Sequence, residues 1–431
     1  MLREERGVQA LPGIMVAPLG VDGLTAGGRK GWRTPAVILV CGCAIGVLGF
    51  GPRSALGFFL TPISGANGWG RDVFALALAI QMLLWGAGQP FAGALADRFG
   101  AAQVLGAGAV LYALGLMLMA YASSPATLHL TAGVVVGFGL AGSSFMIVMG
   151  AFGKLLPPEW RTLAFGAGTA AGSFGQFLFS PLAVVLIDQI GWQHTLVIFA
   201  LILCLIIPFA SALASPRDTP PTTARARAQQ QSIAQALAEA FGHKSYVLLV
   251  LGYFTCGFQT FFMSIHLPAY LVYRGLPAEI GGWTLAVIGL YNIVGANAAG
   301  WLSAYLPKRY ILAFIYFGRA VAILVYIMLP PSAAVTLVFG AVLGLFWLST
   351  VPPTSGLVAV MFGTRWITML FGLTFFSHQV GGFLGVWLGG VLFERTGSYD
   401  AIWWLSILLG LLSAVINLPI VEKPVERLAP A

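Results

Sequence analysis

Long apolar runs alternate with short polar breaks along the whole sequence. Cut into stretches of ~20 residues, the length needed to cross a lipid core, the runs predict twelve helices. They fall near residues 35–62, 72–95, 102–122, 126–151, 162–187, 193–214, 245–272, 281–304, 310–329, 333–355, 368–393 and 401–421. The longest interior polar segment, SPRDTPPTTARARAQQQSIAQALAEAFGHK from Ser215 to Lys244, separates the sixth from the seventh. It replaces Leu and Val with Pro, Thr, Arg and Gln, and its second part, from Ser232, reads as an amphipathic surface helix. The pattern predicts an all-α membrane protein of twelve transmembrane helices in two six-helix bundles, 35–214 and 245–421. Around them lie a Gly-rich tail (1–34), the linker (215–244) and a short C-terminal tail (422–431).

The two bundles read as copies. A shift of 206 carries Pro62, which closes helix one, onto Pro268, which closes helix seven. The same shift carries Gly175-Gln176-Phe177-Leu178 of helix five onto Gly381-Gly382-Phe383-Leu384 of helix eleven, and Gly191 onto Gly397. Internal duplication marks secondary transporters, whose sites lie at the repeat interface near the midplane. The polar residues do not repeat: Arg53 falls on Gln259, and Leu60 on His266. An asymmetric substrate requires such asymmetry.

Composition agrees with this reading. Of the residues, 58% are hydrophobic and 8% charged, against about 25% charged in a soluble domain. The net charge of +8 reflects topology and gives no support to nucleic-acid binding. With the N-terminus inside, 17 of the 22 Lys and Arg fall on the cytoplasmic side, three outside (Arg71, Arg274, Arg395) and two within the membrane (Arg53, Arg319). The positive-inside rule then sets both termini in the cytoplasm of a multi-pass inner-membrane protein. The first apolar run is expected to be retained, because it is too long for a cleavable signal and lacks a small-residue cleavage site. The four cysteines lie within apolar runs and indicate no disulfide framework.

Arg53, in GFGPRSALGFFL, is the residue that directs attention to function. Arginine at bilayer depth costs at least ~2.5–3.5 kcal/mol and is tolerated where it faces a watery cavity or a permanent partner. Gly51 and Pro52 loosen the helix beside it. None of the fourteen acidic residues lies in the middle of a predicted span, so an incoming anion is the natural counter-charge for Arg53. Its guanidinium can grip a carboxylate through two parallel hydrogen bonds. The alternative is that backbone carbonyls and water pin the broken helix.

Proton coupling, in the absence of an intramembrane carboxylate, falls to His266 or His378, since imidazole titrates near neutral pH. A lone membrane histidine also serves as an ordinary helix–helix hydrogen-bond partner. Gln259, Tyr291, Asn292 and Gln379 are candidates to complete polar recognition, and Trp85, Phe346 and Trp347 to wall an aromatic ligand. No GxxxxGK[ST], HExxH or CxxC motif is present, which leaves ATP-driven transport, metal hydrolysis and any bound cofactor without support. An intramembrane enzyme would need an acid/base pair or nucleophile set that the spans do not supply.

The motifs together resemble the major facilitator superfamily. GALADRFG (Gly93–Gly100) is similar to that family's loop between helices two and three, and Lys308-Arg309 to a degraded copy between helices eight and nine. Within the superfamily, GPRSALGFFL and GWGRDVF resemble the monocarboxylate transporter branch and its bacterial oxalate/formate antiporter relatives. The resemblance implies the fold and rocker-switch alternating access. It also implies a cationic substrate position at Arg53 and inner loops (Gly93, Asp97, Arg98, Gly100, Lys308, Arg309) that lock the outward-open state. Helix nine is peripheral in that fold, which leaves Arg319 open between a packing brace and a direct substrate contact. One departure stands out: Asn292 and Ala296 occupy the places where the branch carries an aspartate and an arginine on helix eight. The expected function is secondary transport of a small organic anion, monocarboxylate-like or aromatic, by a monomer with protons as candidate partner. The alternatives are a carrier for a neutral or weakly charged aromatic nutrient such as a vitamin, and metabolite or drug efflux.

Overall fold

The structure, a computed structural model, describes residues 32–214, 233–363 and 367–425. Most of the expected N-terminal tail, most of the linker and the end of the C-terminal tail lie outside them. The described residues are helical throughout, without strands. Eleven helical stretches are long and apolar enough to cross a membrane. One of them, Pro158–Ala212, has 55 residues, about 80 Å at 1.5 Å per residue, more than twice a lipid core of ~30 Å. It bends sharply at Gly191, whose φ of 80° only glycine adopts freely. That stretch is therefore helices five and six, and the predicted twelve crossings are present. Gly397, the repeat partner of Gly191, turns the chain into helix twelve with φ 67°.

Helix one begins under a Thr34 cap, whose hydroxyl accepts the Val37 N–H at 3.3 Å. It runs as Pro35–Ser54, tightens into a 3-10 turn at Leu56–Phe59, and continues as Leu60–Asn67. The change follows Pro52-Arg53. Ala55 N–H turns to the Pro52 carbonyl (3.2 Å), and the Gly51 carbonyl is taken by the Ser54 hydroxyl (2.7 Å). Helix seven, its repeat partner, is unbroken over Lys244–Tyr273. A short helix, Ile233–Gly242, precedes it, as the linker pattern predicts.

A further repeat appears in helices four and ten. Helix four contains a π segment, His129–Val135, and is interrupted at Ser143 and Ser144 before Phe145–Leu155. Helix ten runs as Ala333–Phe346 and resumes as Val351–Phe362. The shift of 206 carries Ser143-Ser144 onto Ser349-Thr350. Even the local hydrogen bond repeats: Ser143 Oγ donates to the Gly139 carbonyl (2.8 Å), and Ser349 Oγ to Leu345 (2.5 Å).

The halves meet through helices one and seven, two and eleven, and five and eight. Close approach requires missing side chains. A Cβ on Gly57 would overlap the backbone oxygens of Ser264 and Ile265, and one on Gly390 would press on Ala75. Polar contacts bridge the third pair: Asn292 Nδ2 donates to Ser173 Oγ (2.7 Å) and Gln176 Nε2 to the Leu285 carbonyl (3.0 Å). Large apolar side chains such as Leu118, Phe314, Val338 and Val415 are exposed instead, as expected where lipid replaces water as solvent.

Candidate functional site

Arg53 is 2% exposed, and aromatic rings surround its guanidinium. The Phe261 ring centre lies 4.3 Å from Cζ and the Trp85 ring centre 5.6 Å. One terminal nitrogen donates to Met82 Sδ at 2.9 Å, and Nε has no hydrogen-bond partner among the described residues. The alternative of carbonyl oxygens pinning the broken helix is not what is found. A sulfur is a weak acceptor, and ring faces attract a cation without neutralising it. The guanidinium is therefore a dry positive charge with hydrogen-bonding capacity to spare.

The rings extend across the interface between halves. Trp85 packs on Phe375 (5.7 Å between centroids), Phe375 stacks on His378 (5.8 Å), and His378 meets Phe261 edge-on (5.2 Å). Arg53, Trp85, Phe375, His378 and Phe261 thus close a ring of contacts drawn from helices one, two, seven and eleven. His378 Nδ1–H faces Gln379 Oε1 at 3.3 Å, which leaves Nε2 as a bare acceptor when the ring is neutral and a donor when it is protonated. Nε2, the Gln379 amide nitrogen and Trp85 Nε1 are buried and make no hydrogen bond of good geometry among the described residues, although the Cys256 thiol lies near the His378 ring.

The other buried arginine behaves differently. Arg319 Nε donates to the Phe346 carbonyl (3.0 Å), one terminal nitrogen to the Phe346 and Trp347 carbonyls, and the other to Gln259 Oε1 (3.4 Å). These carbonyls are exposed by the interruption of helix ten, where a helix C-terminus favours a cation. Arg319 is a brace. Gln259 is committed with it, since its amide also donates to Ser406 (2.8 Å). Phe346 packs on Phe314 and against Gly318 of helix nine, away from the Arg53 cluster, and Trp347 meets Arg319 through its carbonyl. Asn292 is likewise occupied: besides binding Ser173, its oxygen accepts the Leu348 N–H at 2.8 Å. Tyr291 is 40% exposed, outside the cluster.

His266 belongs to one end of the interface. Nε2–H donates to the Val386 carbonyl (2.8 Å), so Nδ1 accepts from the Tyr399 hydroxyl (3.4 Å), which in turn accepts from Arg71 (2.9 Å). Burial pushes the Tyr399 phenol above its ordinary pKa, so it keeps the proton it donates. The Arg71 backbone N–H binds Glu394 at 2.8 Å. Arg71 comes from the first half, and the other members come from the second. The chain of bonds closes this end.

At the linker end, ties within each half are found. Asp97 pairs with Lys154 at 2.8 Å, and Arg98 lies over its neighbour Phe99. Gly100 breaks helix two from helix three at φ 100°, while Gly93 has open space where a Cβ would point. Arg309 binds Glu422 through its backbone N–H (2.8 Å) and the Ile420 carbonyl through its side chain (3.1 Å). The Lys308 stem lies along Gly356. Among the described residues no group of three His, Cys, Asp or Glu is placed to hold a metal ion.

Residues 42–386 match the family model of the Major Facilitator Superfamily. The chain belongs to that superfamily. As a superfamily member it is a membrane transporter and not an enzyme. An uncharacterised MFS-type transporter of Bacillus subtilis, YcxA, is 27% identical over 392 residues, spanning 88% of this chain and 93% of that one. Human monocarboxylate transporter 11 is 26% identical over 400 residues, covering 88% and 80%. Among solved structures, a bacterial homologue of the human lysosomal transporter Spinster superposes with a TM-score of 0.72 at 15% identity, over 90% of this chain and 97% of that one. A D-xylose–proton symporter gives 0.68 at 16%, over 91% and 98%. The superfamily fold and the relation to the monocarboxylate branch agree with the motifs read from the sequence.

In this transporter the sequence reading missed Met82, Phe261 and Phe375. Met82 precedes Trp85 by three residues, and Phe375 precedes His378 by three, so each pair shares a helix face. That spacing was the available signal. Spans rich in Phe and Met on every face obscure it.

Proposed function

We propose that the protein is a secondary transporter for a small organic anion, with Arg53 binding the anionic group. The observation that carries the proposal is the buried guanidinium, which has no oxygen acceptor among the described residues. A buried cation left in this condition gains most from a ligand that supplies negative oxygens. The monocarboxylate transporters among the relatives support a carboxylate as that group. The lysine and arginine distribution supports an inner-membrane orientation with both termini cytoplasmic.

Protons are the proposed coupling partner, and geometry favours His378 over His266 as their seat. His266 already uses both ring nitrogens, whereas His378 Nε2, beside the cationic cluster, makes no hydrogen bond of good geometry among the described residues. Protonation there adds a donor and a charge where the anion sits, so proton and anion favour one another's binding. Alternating access then consists of breaking the Arg71–Tyr399–Glu394 closure and forming contacts at the linker end, with the inner loops holding the second state.

The test is uptake of labelled organic anions into proteoliposomes by the wild type and Arg53→Ala, with and without a proton gradient. Gradient-driven uptake lost in the variant supports the proposal. Unchanged uptake in the variant removes Arg53 from the mechanism. A neutral aromatic nutrient is the second reading, favoured by Asn292 being spent on Ser173 and Leu348 in place of a helix-eight clamp. Uptake that survives replacement of the carboxylate by an amide would select it. Counterflow distinguishes import from efflux.

A further inference from the structure

Resting on the reading of Arg53 as the anion site, we infer that the substrate is a planar aromatic monocarboxylate carrying a hydrogen-bond acceptor on or in its ring. Arg53 supplies one end of the site. The remainder consists of aromatic rings in mutual contact: Trp85 meets Phe261 tilted at 58° (6.3 Å) and Phe375 edge-on at 76° (5.7 Å). These rings belong to different halves of the transporter, so they separate and close as the halves move.

Besides the Tyr112 hydroxyl, which lies near Arg53 and can donate or accept, the polar groups left over in this cluster are donors. Arg53 Nε, Trp85 Nε1 and Gln379 Nε2 are N–H donors without partners among the described residues, and His378 Nε2 becomes a donor when protonated. Gln379 packs on Gly86, the residue after Trp85: a Cβ on Gly86 would lie 2.7 Å from Gln379 Cβ. Gln379 is thus anchored across the interface against helix two, at the residue next to Trp85 in sequence. Surplus donors beside aromatic rings call for a flat molecule that is rich in lone pairs. The carboxylate would take the arginine, the ring plane would lie against the aromatic walls, and the ring acceptor would take the indole or amide N–H.

A short hydroxy acid fits poorly. It would satisfy Arg53, yet leave the indole and amide donors dry and set a hydroxyl against ring faces. A saturated ring acid of the same size has the bulk without the flat face. Aromatic pairing therefore separates the classes, and two ring contacts amount to roughly tenfold in affinity.

The experiment measures thermal stabilisation of the full-length protein in detergent by benzoate, pyridine-3-carboxylate, cyclohexanecarboxylate, lactate and benzamide, each titrated to an apparent affinity. The expected order places pyridine-3-carboxylate and benzoate roughly tenfold or more above cyclohexanecarboxylate and lactate. Trp85→Phe, which keeps a ring and loses the N–H, should narrow the gap between pyridine-3-carboxylate and benzoate. If cyclohexanecarboxylate or lactate binds as well as benzoate, the aromatic assignment is overturned while Arg53 keeps its role. If benzamide matches benzoate, or no carboxylate stabilises the protein, the anion site itself fails and this inference with it. The wild-type series decides between these results even if the Trp85 variant does not fold.

Discussion

Replacing Arg53 by methionine should stabilise the empty transporter while removing its ligand. The charge sits 2% exposed among Phe261, Trp85 and Met82. Two ring contacts return about 1–4 kcal/mol between them when desolvated, against an effective penalty of several kcal/mol for burying the ion. Exchange of buried ions for apolar side chains of similar volume is typically neutral or stabilising by about 1–4 kcal/mol. For a chain of this size each kcal/mol moves the unfolding midpoint by about 1–2 °C, extending the trend with length. A rise of a few degrees is therefore expected in detergent. Loss of the buried carboxylate pair costs about 3–5 kcal/mol, or roughly 10²–10⁴-fold in anion affinity. The assay pairs a thermal melt without ligand with anion titration on the same preparations. A melt lowered by several degrees, or anion affinity left intact, would refute the account of Arg53 as an unneutralised charge awaiting its ligand.

Arg319→Met should do the opposite. It strands the Phe346 and Trp347 carbonyls, each worth about 1–3 kcal/mol when left unpaired, so a melt lower by several degrees is expected at unchanged anion affinity. Glu394→Gln and Tyr399→Phe should loosen the closed end: a cysteine introduced at Ser264, buried there at 6% exposure, should react faster with an impermeant thiol reagent in either background. Equal rates would mean that the Arg71 contacts do not hold that end shut. Wild-type uptake should rise as external pH falls. His378→Gln should flatten that profile and His266→Gln should preserve its slope; a flat profile from His266→Gln alone would move the proton seat to the closed end.

The twelve crossings and the repeated helix breaks were legible because each depends on a long-range property of the string: hydropathy or register. The break in helix one was legible too, since Pro52 and Gly51 act on the backbone directly. The contrast between the two arginines was not. Both stand in apolar runs without acidic neighbours, and the sequence offers no sign that the interruption of helix ten turns two carbonyls toward helix nine. The same limit applies to Gln259, Phe346 and Trp347, whose partners come from helices nine and twelve. His266 and His378 look equivalent in the string and differ in which end of the interface they reach. Such distinctions lie in packing between distant segments, which composition and spacing do not encode.

The twin interruptions of helices four and ten are filled by different guests. In the first half Gln89 donates to Ser144 at 2.7 Å, a neutral bond, and in the second a guanidinium bolts the carbonyls together. Charge-assisted bonds are about twice as strong as neutral ones. The two matching joints thus differ in stiffness. Under the proposed alternating access, bending would fall on the suppler one, and a machine of two like halves would move with a limp.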